Sequence, residues 1–178
     1  MSKIQLSPEI LDAASADNRQ AVNQIIEAYQ QPIFSHILRM VNDNHLAEDL
    51  TQDTFIKLYK NLHKLNQEKN FNAWIYKIAT NTVYDHWRVK QRRPESFFAP
   101  EEDETLSPSP AYYLTPQQDK LDLEMALSQL KPLTAAALRL YYQQGFSYQE
   151  IAEILNQPLG TIKTNLARGK IALQKILK

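Results

Sequence analysis

Apolar residues in this chain recur at intervals of three and four, the spacing of helices with one buried face. Between Asn18 and about Asn42 the stripe is Val22, Ile25, Ile26, Tyr29, Ile33, Ile37 and Met40. Pro32 falls inside it and predicts a kink or break, because proline lacks the N–H that the helix ladder needs. A second stripe, from His45 to about Leu65, is Leu46, Leu50, Phe55, Leu58 and Leu62. A third, from Phe71 to Arg93, is Trp74, Ile75, Ile78, Ala79 and Thr82. A short helix over Ser7–Ala16 precedes them, with Ser7 as N-cap and Pro8 at the first helical position.

The pattern then lapses. The stretch RPESFFAPEEDETLSPSPAYYLTPQQ carries proline and the acidic run Glu101–Glu104, with no periodicity. Proline blocks helix and like charges extend the chain, so residues 94–118 read as a linker. Beyond it the helical spacing returns over about 117–130, 132–144, 147–155 and 159–177. Gly145 suits the end of the second of these, and Ser147 with Glu150 forms a capping box opening the third. The expectation is an all-α chain of two small helical domains, 1–93 and 119–178, joined by an acidic, proline-rich linker.

Composition agrees with that outline. Hydrophobic residues make up 43% of the chain, enough for real cores, and there are only three glycines. There is no cysteine, which excludes disulfides and thiol chemistry. The N-terminal stretch has no apolar run of the signal-peptide kind, and no segment approaches the ~20 apolar residues of a membrane span. A soluble cytoplasmic protein without membrane insertion is expected. No glycine-rich phosphate loop, nucleophile–base set or metal-ligand spacing is present, so neither an enzyme nor a metal or cofactor site is expected. His36, His45, His63 and His86 are scattered.

Charge changes the picture. The chain has 20 Lys/Arg and 20 Asp/Glu, but they are segregated. Residues 1–93 hold 12 basic against 10 acidic residues, 94–118 none against five, and 119–178 eight against five. From Pro158 to Lys178 there are five basic residues and no acid. That last helix follows a shorter one across the turn Asn156-Gln157-Pro158, the plan of a helix-turn-helix. Ile162, Leu166, Leu173 and Leu177 form its buried stripe. Thr161, Asn165 and Arg168 face the other way, flanked by Lys163, Thr164 and Lys170.

Such a helix fits a DNA major groove, with Asn165 suited to adenine, Arg168 to guanine and the lysines to phosphates. A solvated helix whose basic residues answer its own dipole has the same composition.

Two further clusters stand in the first domain. Glu48, Asp49, Gln52 and Asp53 crowd one side of its second long helix, as an outward acidic ridge or as an ordinary solvated face. The third ends in YDHWRVKQRR, where Tyr84, His86 and Trp87 interleave with Arg88, Lys90, Arg92 and Arg93. Flat rings with cations suit unpaired bases, through stacking and phosphate neutralisation. Asn81, Asp85, Arg88 and Arg92 share one face.

The stretches LAEDLTQDTFIKLYKNL and FNAWIYKIATNTVYDHWRVKQRR, followed by YQEIAEILNQPLGTIKTNLARGKIAL, resemble bacterial RNA polymerase sigma factors of the sigma-70 family, in the layout of the extracytoplasmic-function (ECF) group. The resemblance implies a transcription initiation factor that binds core RNA polymerase and directs it to promoters. The first domain would be sigma region 2. Its ridge of Glu48, Asp49, Gln52 and Asp53 would meet the clamp coiled coil. Asn81, Tyr84, Asp85, Trp87, Arg88, Arg92 and Arg93 would capture the melted −10 element. The second domain would be sigma region 4, touching the polymerase flap and holding the −35 duplex through Thr161, Lys163, Thr164, Asn165, Arg168 and Lys170. An anti-sigma factor is a further partner that the group admits.

Two departures stand out: Pro158 replaces the usual capping Ser or Thr, and Asn165 stands where the family often has Arg. The acidic run either mimics nucleic acid in a polymerase channel or keeps a spacer extended. A relaxed tether of about 25 residues spans roughly 25–30 Å, well short of the ~85 Å between promoter elements about 25 base pairs apart. The resemblance therefore implies that polymerase holds it stretched. A stand-alone helix-turn-helix regulator is the competing reading, and it leaves the acidic ridge without a role.

Overall fold

The computed structural model describes residues 4, 6–67, 70–92 and 118–176. The linker expected over 94–118 lies outside them except for Gln118, as do Arg93 and Leu177. The described residues form eight α-helices and one 3-10 turn, with no strand. The chain divides into two compact units, Met1–His86 and Trp87–Lys178.

The first unit holds α1 (Pro8–Ser15), α2 (Arg19–Val41), α3 (Asn44–Lys60), a 3-10 turn (Leu62–Gln67) and most of α4 (Phe71–Arg92). Short polar residues punctuate it. Asp17 and Asn42 take left-handed backbone, with φ of 61° and 53°, at the ends of α1 and α2. Such positions usually fall to glycine; Asp and Asn tolerate them because their side chains bond locally. The Asn18 carboxamide then caps α2 by accepting from the N–H groups of Gln20 and Ala21, and Asp43 caps α3 by accepting from Leu46.

Three expectations take a narrower form here. The stripe continues through Pro32 without a break: α2 is one helix, and Ile25, Tyr29, Ile33 and Ile37 are buried on both sides of the proline. Burial of that face outweighs the ~3 kcal/mol a helical proline costs. Ser7 occupies the N-cap position of α1 but makes no side-chain cap bond; its backbone carbonyl accepts from Ile10 instead. And α3 stops at Lys60, five residues short of Leu65, where the 3-10 turn takes over.

The core gathers Ile25, Tyr29, Ile33 and Ile37 of α2, Ala47, Leu50 and Leu58 of α3, and Ile75, Ala79 and Val83 of α4. Two polar seams tie α4 to α2. The Tyr29 hydroxyl donates to Asn72 Oδ1 at 2.5 Å, and His36 Nε2 meets Thr80 Oγ1 at 3.0 Å with the His36 ring against Tyr76. Trp74 is half-buried and tilted against Phe71.

The second unit holds α5 (Gln118–Ser128), α6 (Pro132–Tyr142), α7 (Tyr148–Ile154) and α8 (Leu159–Ile176). Its core is Leu138, Leu140, Phe146, Ile151, Ile154, Leu155, Ile162 and Leu166. Gly145 adopts φ of 71° after α6 and turns the chain so that Phe146 is buried. The Ser147–Glu150 capping box is formed in both directions. Between α5 and α6, Glu124 accepts from Arg139 at 2.7 Å and from Gln143 at 3.1 Å in a part-buried clasp.

Candidate nucleic-acid interface and acidic ridge

In α3, Ala47, Leu50, Thr54 and Leu58 are buried, which fixes the rotation of the helix and turns Glu48, Asp49, Gln52 and Asp53 out to solvent. The four form a polar strip on rigid backbone. Ile56, 51% exposed, lies one turn further along the same arc, three and four residues beyond Asp53 and Gln52. The sequence pattern missed it, because one apolar residue on a solvent face adds nothing to the periodic stripe. His45 is exposed at the start of the same helix. Among the described residues, no group of three His, Cys, Asp or Glu stands close enough to hold a metal ion.

On α4, the positions of Asn81, Asp85, Arg88 and Arg92 follow one another along one helical face, over about 16 Å at 1.5 Å per residue. Asn81, Asp85 and Arg88 are exposed, and Trp87 is 36% exposed. Tyr84 is half-buried, and burial pushes its hydroxyl above the usual phenol range. One partner was not foreseen: Lys57 of α3 reaches Asp85 with Nζ 3.0 Å from the carboxylate. Both side chains are about half exposed, so the pair is screened and contributes ~0–1 kcal/mol. Asp85 is thus part of an exchangeable surface pair.

The turn into α8 is built by Asn156, whose φ of 51° lets Gln157 N–H bond back to Ala152 O at 3.0 Å and its own N–H reach Glu153 O at 3.4 Å. Pro158 supplies no side-chain cap, but its carbonyl accepts the first helical bond, from Ile162. Ile162, Leu166 and Gly169 are buried and Leu173 is half-buried, so α8 has a defined inner face. Lys163, Thr164, Arg168 and Lys170 are exposed, as is Ile171, and Thr161 is half-buried at the margin. The Thr164 hydroxyl donates to Gly160 O within the helix.

Asn165 departs from the expected outer face. It is half-buried, and its Oδ1 accepts from the Thr134 hydroxyl of α6 at 3.0 Å. The geometric reason is its place on the helix wheel, beside the buried Gly169 and not opposite the buried stripe.

With this geometry in hand, comparison with known proteins decides the family. Residues 25–93 match Sigma-70 region 2, and residues 120–173 match Sigma-70, region 4. The ECF RNA polymerase sigma factor SigW of Bacillus subtilis is 31% identical over 90% of this chain and 91% of its own. The chain belongs to the sigma-70 family of RNA polymerase sigma factors, in its ECF group.

The RNA polymerase sigma-H factor of Pseudomonas aeruginosa is 28% identical to this sigma factor over 96% of the chain and 93% of its own. Among solved structures, the sigma factor RpoE of Bartonella quintana, in complex with the anti-sigma factor NepR, superposes with a TM-score of 0.65 at 26% identity, covering 87% of this chain and 95% of its own. CnrH, solved with the cytosolic domain of CnrY, shares the fold at a TM-score of 0.65 and 17% identity, over 95% of both chains. No described helix of this sigma factor is long and apolar enough to cross a membrane.

Proposed function

We propose that this sigma factor docks on core RNA polymerase through the acidic ridge of α3 and carries it to promoters. The far end of α4 captures unpaired bases of the −10 element and α8 enters the major groove of the −35 duplex. On this reading residues 1–93 act as region 2, 94–118 as the tether and 119–178 as region 4. The observation that carries it is the pair of region matches in sequence order, each falling on residues that present a charged, outward surface. Glu48, Asp49, Gln52 and Asp53 offer acceptors on a rigid helix to a basic helical partner. Lys163, Arg168 and Lys170 offer cations around a helix of groove-filling size.

A stand-alone regulator leaves the region 2 match and the ridge unexplained. The protein acts as a binding factor and not as an enzyme. Because the sigma factor RpoE of Bartonella quintana was co-crystallised with the anti-sigma factor NepR, a protein of the anti-sigma kind belongs among its partners on this proposal.

Co-purification with core polymerase tests the ridge. The Asp49→Lys, Asp53→Lys double variant is expected to lose most of its binding, while Arg168→Ala keeps polymerase binding and loses −35 protection. Undiminished binding by the double variant removes the ridge from the interface. Equal loss of both properties in Arg168→Ala means a folding defect.

A further inference from the structure

The close approach of α8 to α6 has a chemical consequence for base recognition. A Cβ on Gly169 would stand 2.6 Å from Thr134 Cγ2 and 2.7 Å from Leu138 Cδ1, so glycine lets the two helices touch there. The approach brings Thr134, 8% exposed, beside Asn165. Other threonine hydroxyls, those of Thr51, Thr54, Thr82 and Thr164, donate to the carbonyl four residues back in their own helices. Thr134, in the first turn of α6, donates across the interface to Asn165 Oδ1 at 3.0 Å. Turning that oxygen outward would strand a buried donor. The Asn165 Nδ2 group has no partner among the described residues.

We propose that Thr134 is a positioning residue that holds Asn165 with its carbonyl inward and its N–H pair outward, making Asn165 a donor-only reader of the −35 duplex. This deepens the proposed role of α8 and rests on it. Adenine presents an amino donor beside its N7 acceptor, and a free asparagine satisfies both at once. A donor-only amide meets N7 but opposes the amino group. Guanine, with N7 and O6, and thymine, with O4, offer acceptors alone. Cytosine offers an amino donor and is refused. The base opposite Asn165 is therefore guanine or thymine, and its selection depends on a hydroxyl that touches no DNA.

The test is promoter selection by reconstituted holoenzyme from a duplex library randomised over the −35 element. The base pair read by Asn165 is the one whose preference Asn165→Ala erases, and the strand it reads is the one on which an abasic nucleotide at that pair erases the difference between wild type and Asn165→Ala. On that strand wild type is expected to select guanine or thymine. Thr134→Val keeps the branched side chain against Gly169 but removes the hydroxyl, and should shift that one position toward adenine by about five- to tenfold, the low end of one bidentate base contact. Thr134→Ser should restore the wild-type preference, which a mere packing role does not predict. In the Asn165→Ala background, Thr134→Val should change nothing further.

Selection of adenine or cytosine on the contacted strand by wild type overturns the proposal, as does an unchanged profile for Thr134→Val. So does a silent Asn165→Ala when Arg168→Ala alters its own position. If neither Asn165→Ala nor Arg168→Ala alters any −35 position, the reading of α8 fails as well, and the two failures are told apart.

Discussion

At Gly169 any side chain would intrude on Thr134 and Leu138, both held in the packed face of α6. Gly169→Ala gains helix propensity of about 1 kcal/mol, but it forces a methyl group into a filled space at a cost of roughly 1–3 kcal/mol. A net loss of up to about 2 kcal/mol is expected, read as a lower denaturant midpoint with faster amide exchange in α6 and α8. Two buried phenols supply a pH signature. Burial raises the Tyr76 hydroxyl to about 12, and burial together with Tyr76 raises that of Tyr29 further still.

A phenol held protonated in the fold but titrating near 10 when unfolded stabilises the fold fully below pH 10. That contribution is lost as pH climbs from 10 to 12, by roughly 2–3 kcal/mol for Tyr76. Alkaline titration should show phenolate absorbance from these two residues appearing only as helix content falls. None of the Gly169–Thr134–Asn165 contact was legible in the sequence, because it joins residues 31 apart in the Thr134–Asn165 pair through a helix crossing that periodicity does not report. Asn165 reads as outward from spacing alone; only the placement of α6 shows its oxygen engaged.

Individual helices were easier to read where their signals are local. The Ser147–Glu150 box acts within three residues of where it stands and is formed as its spacing implies; Asn18 and Asp43 cap α2 and α3 just as locally, though the stripes were read without them. Pro32 makes no break for the opposite reason: a local breaker was overruled by the tertiary burial of a long stripe. The box matters most to α7, which has seven residues and is too short to hold itself by propensity. Ser147→Ala should cost about 1 kcal/mol, seen as earlier amide exchange in α7, with weakened −35 binding because α7 and its turn deliver α8. The acidic strip of α3 was legible as a pattern, but Ile56 was not, since one apolar residue on a solvent face carries no periodic signal. Lys57 was missed too, because its partner Asp85 lies on another helix.

For the molecule as a whole, neutrality conceals opposed fields. Net charges of about +2, −5 and +3 follow in order along residues 1–93, 94–118 and 119–178, from the counts of basic and acidic residues in each. Each unit has few cations to give to phosphates, so either alone should bind duplex weakly and lose affinity steeply with salt. Attachment to polymerase makes the second contact intramolecular. The isolated chain should therefore bind a promoter fragment at least roughly 100-fold more weakly than the holoenzyme, measured by fluorescence anisotropy over a salt series. Equal affinity would contradict the division of labour between the units.

The clasp at Glu124 gains a mechanical meaning in that setting. On the proposed reading polymerase holds residues 94–118 stretched as a tether, and α5 is the first described helix beyond it, so tension would arrive there first. A carboxylate gripped by both Arg139 and Gln143 anchors α5 to α6, whose other end holds α8 through Thr134 and Asn165. Load would then be taken up by the scaffold before it reaches α8, and the proposed reading head would keep its aim under tension.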